Sequence, residues 1–551
     1  MKNLVEVMNL HVGAVTDSGR KVEIIRGISF SIAPDEIVAL IGESGSGKTT
    51  TALTLMGYTR DGCAITGGHV FVDGYEVSAQ TEHERANLRG KLVSYVPQSA
   101  AAAFNPSQTI LTQVIEIAQI HKLGSRDEAR RKAIELFRAL ALPNPETIGD
   151  RYPHQVSGGQ LQRLAAAMAL IGEPKVVIFD EPTTALDVTT QIEVLRAFKK
   201  VMQGKRIAGV YVSHDLAVVA QIADRILVLR NGEVQEAGDT RQILHAPAHP
   251  YTKTLIAAYE PVRHDRAAAD SADAPVLEAR NLSAGYGAPG QDGLPVMLAV
   301  NDVSFTLKRG SNLGVIGESG CGKSTLARVI AGLLPPARGE VLFNGKALPG
   351  LASKRSKEEL RHVQIVFQLA DTALNPARSV SDILGRPLTF YHGTRGAARN
   401  RRIDELMDMV RLPRALKNRL PGELSGGQKQ RVNFARALAA DPSVVLCDEI
   451  TSALDTVVAA AVTELLQELQ RELGLSYIFI SHDLNTVRAI CDEVVVMYGG
   501  RKVEQLLPGQ LDGGARHPYS QLLISSVPQL DPGWLDNLKQ NAKIVEQFAH
   551  E

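Results

Sequence analysis

Two stretches decide the fold: Gly42 to Thr49 reads GESGSGKT, and Gly317 to Ser324 reads GESGCGKS. Each follows a short apolar run, EIVALI or SNLGVI, and precedes a helical pattern, TTALTLMG or STLARVIAGLL. This is the phosphate-binding loop in the context that the motif requires, at the end of a strand and the start of a helix. Its glycines let backbone N–H groups surround phosphate oxygens, and the helix adds its positive N-terminal end. Two copies in matching contexts exclude a chance match.

The chain is a tandem duplication, because these loops and a series of later motifs recur in the same order roughly 270 residues apart. We expect a first domain over residues 1–261 and a second over residues 276–551. The stretch between them, 262–275, is rich in Ala, Asp and Arg and shows no apolar period. Such a composition is typical of a solvated linker.

Short apolar runs alternate with longer helical patterns in both copies. KVVIFD and IAGVYVS in the first copy, and SVVLCD and LSYIFIS in the second, read as nearly continuous apolar strands. Such strands separated by helices predict buried parallel sheets of the α/β class. Each copy also closes with a hairpin pattern, around Asn231-Gly232 or Gly499-Gly500.

The composition of the 551-residue chain is that of an ordinary globular protein, with 44% hydrophobic and 22% charged residues. Its 60 basic and 60 acidic residues leave no net charge, so no nucleic-acid partner is expected. The four cysteines are scattered, which indicates neither a zinc site nor a disulfide framework and favours a reducing compartment. No charge-free apolar run approaches the length of a spanning helix, and Glu6 interrupts any signal-peptide core. Action at a membrane would therefore need partners.

Two adjacent carboxylates follow an apolar run in each copy, where VVIFDE ends at Glu181 and VVLCDE ends at Glu449. Ligands collect at the carboxyl ends of parallel strands. We expect the first acid, Asp180 or Asp448, to hold Mg²⁺ through water, and the second to orient or deprotonate the attacking water. A solvated acid pair at a strand end is common, so this interpretation depends on the phosphate-binding loop that precedes it.

A glycine-rich turn opens a helix ahead of each acid pair, as VSGGQLQR over 156–163 and LSGGQKQR over 424–431. Ser-Gly-Gly leading into a helix offers a second anion-binding surface made of N–H groups and a hydroxyl. A lone helix cap of this kind is ordinary. Both copies carry it in the same order, however, as they do Asp187 in TTALD and Asp455 in TSALD. A nucleotidase with one self-sufficient site would not need this surface.

Other polar side chains follow strand-like runs: His214 in YVSHDL, His482 in FISHDL, Gln98 in YVPQ and Gln368 in IVFQ. A single histidine at a strand end is more often structural than catalytic. Its repetition favours an imidazole that donates a hydrogen bond to a γ-phosphate. We interpret Cys321, inside the second loop, as a packing residue rather than a reactive thiol, because no nearby base is implied.

This complete motif set, present twice, resembles the ATP-binding cassettes of ABC transporter ATPases. The resemblance covers nearly the whole chain and implies two P-loop NTPase domains, each with a mainly parallel core sheet, an antiparallel β subdomain and a helical subdomain, about residues 99–156 and 369–424. It also implies that the cassettes close head to tail around ATP and Mg²⁺. Ser157 would then face the nucleotide on Lys323, and Ser425 the nucleotide on Lys48.

The stretches FNP at 104–106, LNP at 374–376, HPYTKTLIAA at 249–258 and HPYSQLLISS at 517–526 are similar to the oligopeptide, dipeptide and nickel importer ATPases. A plain terminal packing helix is the alternative for the last two. The resemblance implies a fused member of that subfamily that imports a peptide or similar small solute. Its partners would be two membrane-spanning permease subunits and a separate solute-binding protein, with the chain held peripherally at the cytoplasmic face of the inner membrane.

Some positions depart from the family pattern. Tyr286 matches the aromatic residue that stacks on adenine, whereas the first copy has Ala14 there. Ile450 replaces the proline that the first copy has as Pro182. The different class of function left open is a soluble twin-cassette ATPase that acts on ribosomes, but the short linker and the HPY sequences do not fit it.

The predicted site residues fall into three groups. The residues with catalytic roles are Glu181, Glu449, His214, His482, Gln98 and Gln368. The residues that bind ATP are Gly42, Ser44, Gly45, Gly47, Lys48, Thr49, Thr50, Ser157, Gly158, Gly159, Gln160, Tyr286, Gly317, Ser319, Gly320, Gly322, Lys323, Ser324, Thr325, Ser425, Gly426, Gly427 and Gln428. The ligands of Mg²⁺, directly or through water, are Thr49, Gln98, Asp180, Ser324, Gln368 and Asp448.

Overall fold

The computed structural model describes residues 3–15, 19, 21–184, 186–259, 274–452 and 454–538. These residues form two compact units. Of the described residues, the first unit includes those up to Ala257 and also Pro528–Leu538, while the second includes those from Ala258 to Val527. The predicted linker, 262–275, lies almost wholly outside the described residues, so its boundaries stay a prediction.

Two sheets organise the first unit. A six-stranded sheet has the order β10-β9-β3-β8-β7-β6, parallel except for β10, and a four-stranded antiparallel sheet has the order β2-β1-β4-β5. The strands are β1 (Val5–Val15), β2 (Lys21–Ile32), β3 (Ile37–Ile41), β4 (Cys63–Val72), β5 (Tyr75–Glu76), β6 (Val93–Val96), β7 (Val176–Asp180), β8 (Ala208–Val212), β9 (Arg225–Arg230) and β10 (Glu233–Asp239).

Helices cover the sheets of the first unit, and several begin at a reciprocal cap in which a Ser or Thr pairs with the third helical residue, as Ser125 does with Glu128. The helices are α1 (Lys48–Thr54), α2 (Glu82–Leu88), α3 (Ala100–Ala103), α4 (Ile110–Val114), α5 (Glu116–Ile120), α6 (Arg126–Ala139), α7 (Gly158–Leu170), α8 (Val188–Lys205), α9 (Leu216–Ile222), α10 (Thr240–His245) and α11 (Pro250–Tyr259). Helices α3 to α6 occupy the range expected for the first helical subdomain.

The second unit repeats this topology, with sheet orders β16-β17-β18-β13-β19-β20 and β12-β11-β14-β15. Its strands are β11 (Pro275–Pro289), β12 (Pro295–Lys308), β13 (Asn312–Ile316), β14 (Arg338–Phe343), β15 (Lys346–Ala347), β16 (Val363–Val366), β17 (Val444–Asp448), β18 (Ser476–Ile480), β19 (Glu493–Tyr498) and β20 (Arg501–Leu506). Its helices are α12 (Lys323–Ile330), α13 (Lys357–His362), α14 (Ala370–Ala373), α15 (Val380–His392), α16 (Gly396–Met409), α17 (Gly426–Leu438), α18 (Thr456–Leu473), α19 (Leu484–Ile490) and α20 (Pro518–Ser525). The last helix of the chain's described residues, α21 (Trp534–Asn537), lies in the first unit.

The apolar runs that predicted strands form the central strands of the parallel sheets, where their side chains are buried. All five residues of β3, β7 and β8, and of β13, β17 and β18, are buried. One face of each parallel sheet packs against the antiparallel sheet of its unit and against helix α1 or α12, and in the second unit helices such as α17 and α18 cover the other face. The closing hairpins are also present, with positive φ at both turn residues, Asn231 (51°) and Gly232 (81°), as a tight two-residue turn requires. The predicted fold class is confirmed.

The structure departs from the predicted second domain, 276–551, at one segment, which we call the C-terminal strap, Pro528–Leu538. The strap belongs to the first unit. The buried Gln221 donates to the carbonyls of Gln529 (2.7 Å) and Asp531 (3.0 Å) and accepts from the N–H of Leu535 (2.9 Å). Contacts to backbone groups leave no pattern in the strap's own sequence, which is why sequence reasoning missed them. None of the described helices is both long and apolar enough to cross a bilayer.

Candidate functional site: two nucleotide-binding centres

The two phosphate-binding loops have the same conformation. Gly42 and Gly317 have φ of 143° and 149°, and a Cβ at either would lie 2.0 to 2.2 Å from a carbonyl oxygen of the neighbouring strand end, so only glycine fits. Lys48 Nζ donates to the carbonyls of Gly42 (2.8 Å) and Glu43 (2.9 Å). Lys323 does the same to its own loop at 2.8 and 2.7 Å. Each loop therefore curls around its lysine.

A hydroxyl and a carboxylate meet beside each loop. Thr49 Oγ1 donates to Asp180 Oδ1 at 2.8 Å, and Ser324 Oγ donates to Asp448 Oδ1 at 2.9 Å. Burial and the negative charge of Glu449 raise the pKa of Asp448, and the bond from Ser324 only partly opposes them. Hydroxyl and carboxylate oxygens are the ligands that Mg²⁺ prefers. The donor set therefore fits the ion that the sequence predicted.

The second acid of each pair lies between the predicted glutamine and histidine. Glu181 Oε2 accepts from Gln98 Nε2 at 3.0 Å, and its Oε1 lies 3.2 Å from His214 Nδ1. In the second unit Gln368 donates to Glu449 at 2.8 Å, and His482 Nδ1 lies 3.6 Å away. The structure therefore brings together residues far apart in sequence into one cluster per unit, which we call the glutamate cluster.

Charge in the glutamate cluster is shared between acid and imidazole. Burial opposes the charge on His214, but its hydrogen bond to Glu181 and the nearby carboxylates outweigh burial and raise its pKa. Burial likewise opposes the charge on Glu181, and the bond from His214 together with the charge of Lys48 still lowers its pKa. The nearby His482, 3.6 Å away, lowers the pKa of Glu449 in the same way. Both pairs favour a carboxylate beside a protonated histidine.

The backbone of both glutamates adopts the left-handed conformation, with φ of 48° at Glu181 and 49° at Glu449. Non-glycine residues rarely adopt it, and strained residues that persist are held by their surroundings. Here the N–H of Glu181 donates to Val212 and that of Glu449 to Ile480, both at 2.9 Å. No glycine or other turn signal in the sequence indicates this conformation.

The serines of the glycine-rich turns cap helices α7 and α17. Ser157 Oγ accepts from the N–H of Gln160, and Ser425 Oγ from that of Gln428, both at 3.3 Å. A Cβ at Gly159 would lie 2.1 Å from the Thr190 side chain, because α7 packs closely against the start of α8. Within the described residues, no hydrogen bond joins either serine to the phosphate-binding loop of its own unit.

The two units differ where the adenine ring is expected. Tyr286 lies on β11 opposite Met297, and Ala14 lies on β1 opposite Val22, so the alanine occupies the place of the tyrosine in the sheet register. The Tyr286 hydroxyl lies 3.3 Å from Thr325 Oγ1, and the ring is 38% exposed. The second unit therefore presents an aromatic face beside its loop that the first unit lacks at this position.

Sequence reasoning missed two supporting residues of the first unit. Tyr95 donates to Asp180 Oδ2 at 2.8 Å, whereas Ile365 is at its place in the second unit. Arg163, in the glycine-rich helix, donates to the carbonyl of Ala141 at 2.8 Å and lies 3.6 Å from Glu193. Tyr95 does not recur in the second copy, so no pattern indicated its contact. Arg163 recurs as Arg431, which donates to the carbonyl of Arg411 at 3.3 Å, so the repeat could have indicated that contact.

Cys321 is buried, with its sulfur 3.9 Å from Lys323 Nζ. Burial raises the pKa of its thiol despite the nearby ammonium group. A neutral, buried thiol packs as a small apolar group, as the sequence predicted.

Comparison with known proteins identifies the family. The model of the ABC transporter family matches residues 25–184 and 300–452, and that of the oligopeptide/dipeptide transporter C-terminal region matches residues 235–285 and 503–550. The glutathione import ATP-binding proteins GsiA of Salmonella typhimurium and Escherichia coli are each 36% identical to the chain, over 96% of it and 90% of the relative. A solved cbiO1 from Clostridium perfringens is 30% identical over 43% of this chain and 90% of its own, with a TM-score of 0.37.

The chain therefore belongs to the ABC transporter family, in its oligopeptide/dipeptide branch, and is an ATPase with two ATP-binding cassettes. The predicted family, the fold class and the ATPase activity are confirmed. The HPY sequences fall within the matched C-terminal regions, which confirms the predicted resemblance to the oligopeptide-type importer ATPases.

Proposed function

We propose that the chain is the ATP-hydrolysing subunit of an importer that takes up glutathione or a small peptide through separate membrane subunits. Support comes from the glutamate cluster next to a phosphate-binding loop in both cassettes, and from relatives named for glutathione import over nearly the whole chain. The matches to both HPY regions disfavour the ribosomal alternative, for which no residue contact argues.

In the proposed reaction Glu181 and Glu449 orient and deprotonate the water that attacks the γ-phosphate. A general base must lie within hydrogen-bond reach of its water and remain ionised, and the lowered pKa of both carboxyls meets the second need. Gln98 and Gln368 would place the water from the other side of the carboxylate. His214 and His482 would hold the carboxylate and present a positive charge to the γ-phosphate.

Mg²⁺ would be held by Thr49 with Asp180 in the first cassette and by Ser324 with Asp448 in the second, directly or through water. When bound, the ion would neutralise charge on the β- and γ-phosphates. Lys48 and Lys323 would exchange their loop carbonyls for phosphate oxygens. This exchange costs little, because each ammonium keeps charge-assisted hydrogen bonds throughout.

The serine of each glycine-rich turn would complete the ATP site of the other cassette, Ser157 with the Lys323 loop and Ser425 with the Lys48 loop. The helix start behind each serine offers N–H groups and a partial positive charge to an anion. Neither serine has a hydrogen bond to its own loop within the described residues, which leaves this surface for a nucleotide held elsewhere. Two composite sites would result.

The importer is tested by reconstitution. The chain, tagged and purified from membranes, is expected to bring along two membrane subunits, and the assembly is placed in vesicles that enclose ATP and Mg²⁺. Labelled glutathione and a labelled dipeptide are offered outside, with the solute-binding protein encoded nearby. We expect ATP-dependent uptake of one of them, and none with K48A/K323A. Purification without membrane subunits, or with ribosomes, would contradict the proposal.

A further inference from the structure

The tyrosine of each HPY sequence contacts a phosphate-binding loop. Tyr251 lies at the start of α11 and Tyr519 at the start of α20, both buried. The hydroxyl of Tyr251 accepts the N–H of Glu43 at 3.1 Å, and that of Tyr519 accepts the N–H of Glu318 at 2.9 Å. Each glutamate is the second residue of its loop. The two contacts join residues roughly 200 positions apart and are the same in both cassettes.

The rest of the motif fixes this tyrosine in place. His249 Nδ1 accepts the N–H of Tyr251 at 3.2 Å, and Glu236 on β10 accepts the N–H groups of Ala248 and His249 at 2.8 and 3.0 Å. The imidazole thus acts as the helix cap, and proline follows at the first helical position, where it is well tolerated.

The second cassette repeats this support. His517 Nδ1 accepts the N–H of Tyr519 at 3.2 Å, while Glu504 accepts the N–H groups of Arg516 and His517 at 2.8 and 3.2 Å. The His, Pro and Tyr residues of the motif therefore act together to place the phenol oxygen against the loop.

We propose that Tyr251 and Tyr519 are positioning residues for ATP, holding the first turn of each phosphate-binding loop in the shape that receives phosphates. The peptide group before Glu43 is fixed through its N–H by Tyr251, and the Glu43 carbonyl is fixed by Lys48. When ATP draws the lysine away, the tyrosine contact remains and keeps the loop from rearranging. If the loop is already ordered before ATP binds, binding carries a smaller entropic cost, so the affinity for ATP is higher.

The rings of the two tyrosines rest on different neighbours. Arg230 lies over the Tyr251 ring at 4.6 Å and 3.9 Å from the Glu43 carboxylate, whereas Tyr498 packs against Tyr519 with ring centroids 4.4 Å apart. The hydroxyl contact is preserved although its support has changed. A role in simple packing would not require the same hydrogen bond in both cassettes.

The test removes only the hydroxyl and reads one loop at a time in the full-length chain. Tyr251→Phe is combined with K323A, so that the first loop alone binds ATP, and Tyr519→Phe is combined with K48A. We expect the KM for ATP, and the Kd measured in EDTA, to rise about fivefold, while kcat changes by less than about twofold. Amide exchange should quicken at residues 42–47 in Tyr251→Phe and at residues 317–322 in Tyr519→Phe.

Tyr477→Phe is the matched control, because it removes a buried phenol that donates to the Leu466 carbonyl at 3.1 Å, away from the loop. It should lower the melting temperature without changing the Kd for ATP. The single-site parents must bind ATP, which separates this inference from the identity of the transported solute. If Tyr251→Phe and Tyr519→Phe lower the melting temperature as the control does but leave Kd, KM and loop exchange unchanged, the tyrosines are structural only and the proposal is overturned.

Discussion

The two cassettes agree in their chemistry and differ in what surrounds it. The hydroxyl–carboxylate contacts beside the loops measure 2.8 and 2.9 Å, the glutamine–glutamate contacts 3.0 and 2.8 Å, and the two glutamates share a left-handed φ within 1°. Differences lie at the adenine position and in the strap, which only the first unit carries among the described residues. The two copies therefore agree in the groups proposed to contact phosphate and differ in the group proposed to hold the base and in the strap.

Replacing the serine of one glycine-rich turn, Ser157 or Ser425, should produce the largest difference in ATP binding between the two cassettes. In an E181Q/E449Q chain, which we expect not to hydrolyse ATP, adding Ser157→Arg should reduce occluded 8-azido-ATP on the second cassette at least about tenfold, because the side chain blocks the helix start that would meet the nucleotide. Peptide mapping after rapid gel filtration locates the label. Ser425→Arg is the mirror control. Full labelling of the second cassette with Ser157→Arg would contradict composite sites.

The strap distinguishes the units next. Gln221→Ala leaves three backbone groups of the strap without their partner, and should lower the free energy of strap release by about 2 kcal/mol. Trp534 is the only tryptophan of the chain and lies in the strap, so its emission reports release directly in a urea titration.

Gln467→Ala is the control, since it removes a buried amide of the second unit that donates to Ala489 at 2.8 Å. It should leave the Trp534 transition unchanged. An unchanged transition in Gln221→Ala would show that the glutamine does not hold the strap.

Adenine recognition should separate the two sites by about tenfold. Base–aromatic stacking contributes about 1 to 3 kcal/mol, so Tyr286→Ala in a K48A chain should weaken ATP at the second site about tenfold. Inorganic tripolyphosphate, which has no base, should compete equally well before and after the change. Ala14→Tyr in a K323A chain tests the converse and should tighten ATP at the first site. Equal loss for ATP and tripolyphosphate would mean that Tyr286 supports the loop instead.

The histidine–glutamate pairs should give the smallest difference between the cassettes. It should appear in the pH dependence of the free energy of unfolding. The pKa of His214 is raised from 6.5, so its contribution to stability is present below pH 6.5 and is lost as the pH rises through the folded value. The pKa of Glu181 is lowered from 4.5, so its contribution is lost only as the pH falls below that value. His214→Gln should therefore cost about 1 kcal/mol near pH 5.5 and less at pH 9, by urea unfolding.

His482→Gln should cost less at pH 5.5, because its contact with Glu449 is 3.6 Å rather than 3.2 Å. If a substitution lowers the free energy of unfolding equally at pH 5.5 and at pH 9, the charge of the histidine does not explain its effect.

Most of the fold could be predicted from local patterns in the sequence. Buried strands such as β7 are read from five consecutive apolar residues, and the loops from their glycines, because both signals are contained within one segment. The glutamate cluster was inferred only because its members recur in both copies. Contacts such as Gln221 with the strap or Tyr251 with Glu43 join segments more than 200 residues apart through backbone groups, which have no side-chain signature. The left-handed turn at Glu181 was equally hidden, since nothing in its sequence resembles a glycine turn.

We infer that both glutamate clusters support ATP hydrolysis, and ATP trapping and ATP-driven uptake by E181Q and E449Q in the transporting assembly test this. Removal of a general base costs about 10² to 10⁴-fold at its own site. We expect each single variant to trap ATP in the cassette it alters, and both to depress ATP-driven uptake strongly and to a similar degree. Full uptake by either variant would contradict it, since one cassette would then suffice.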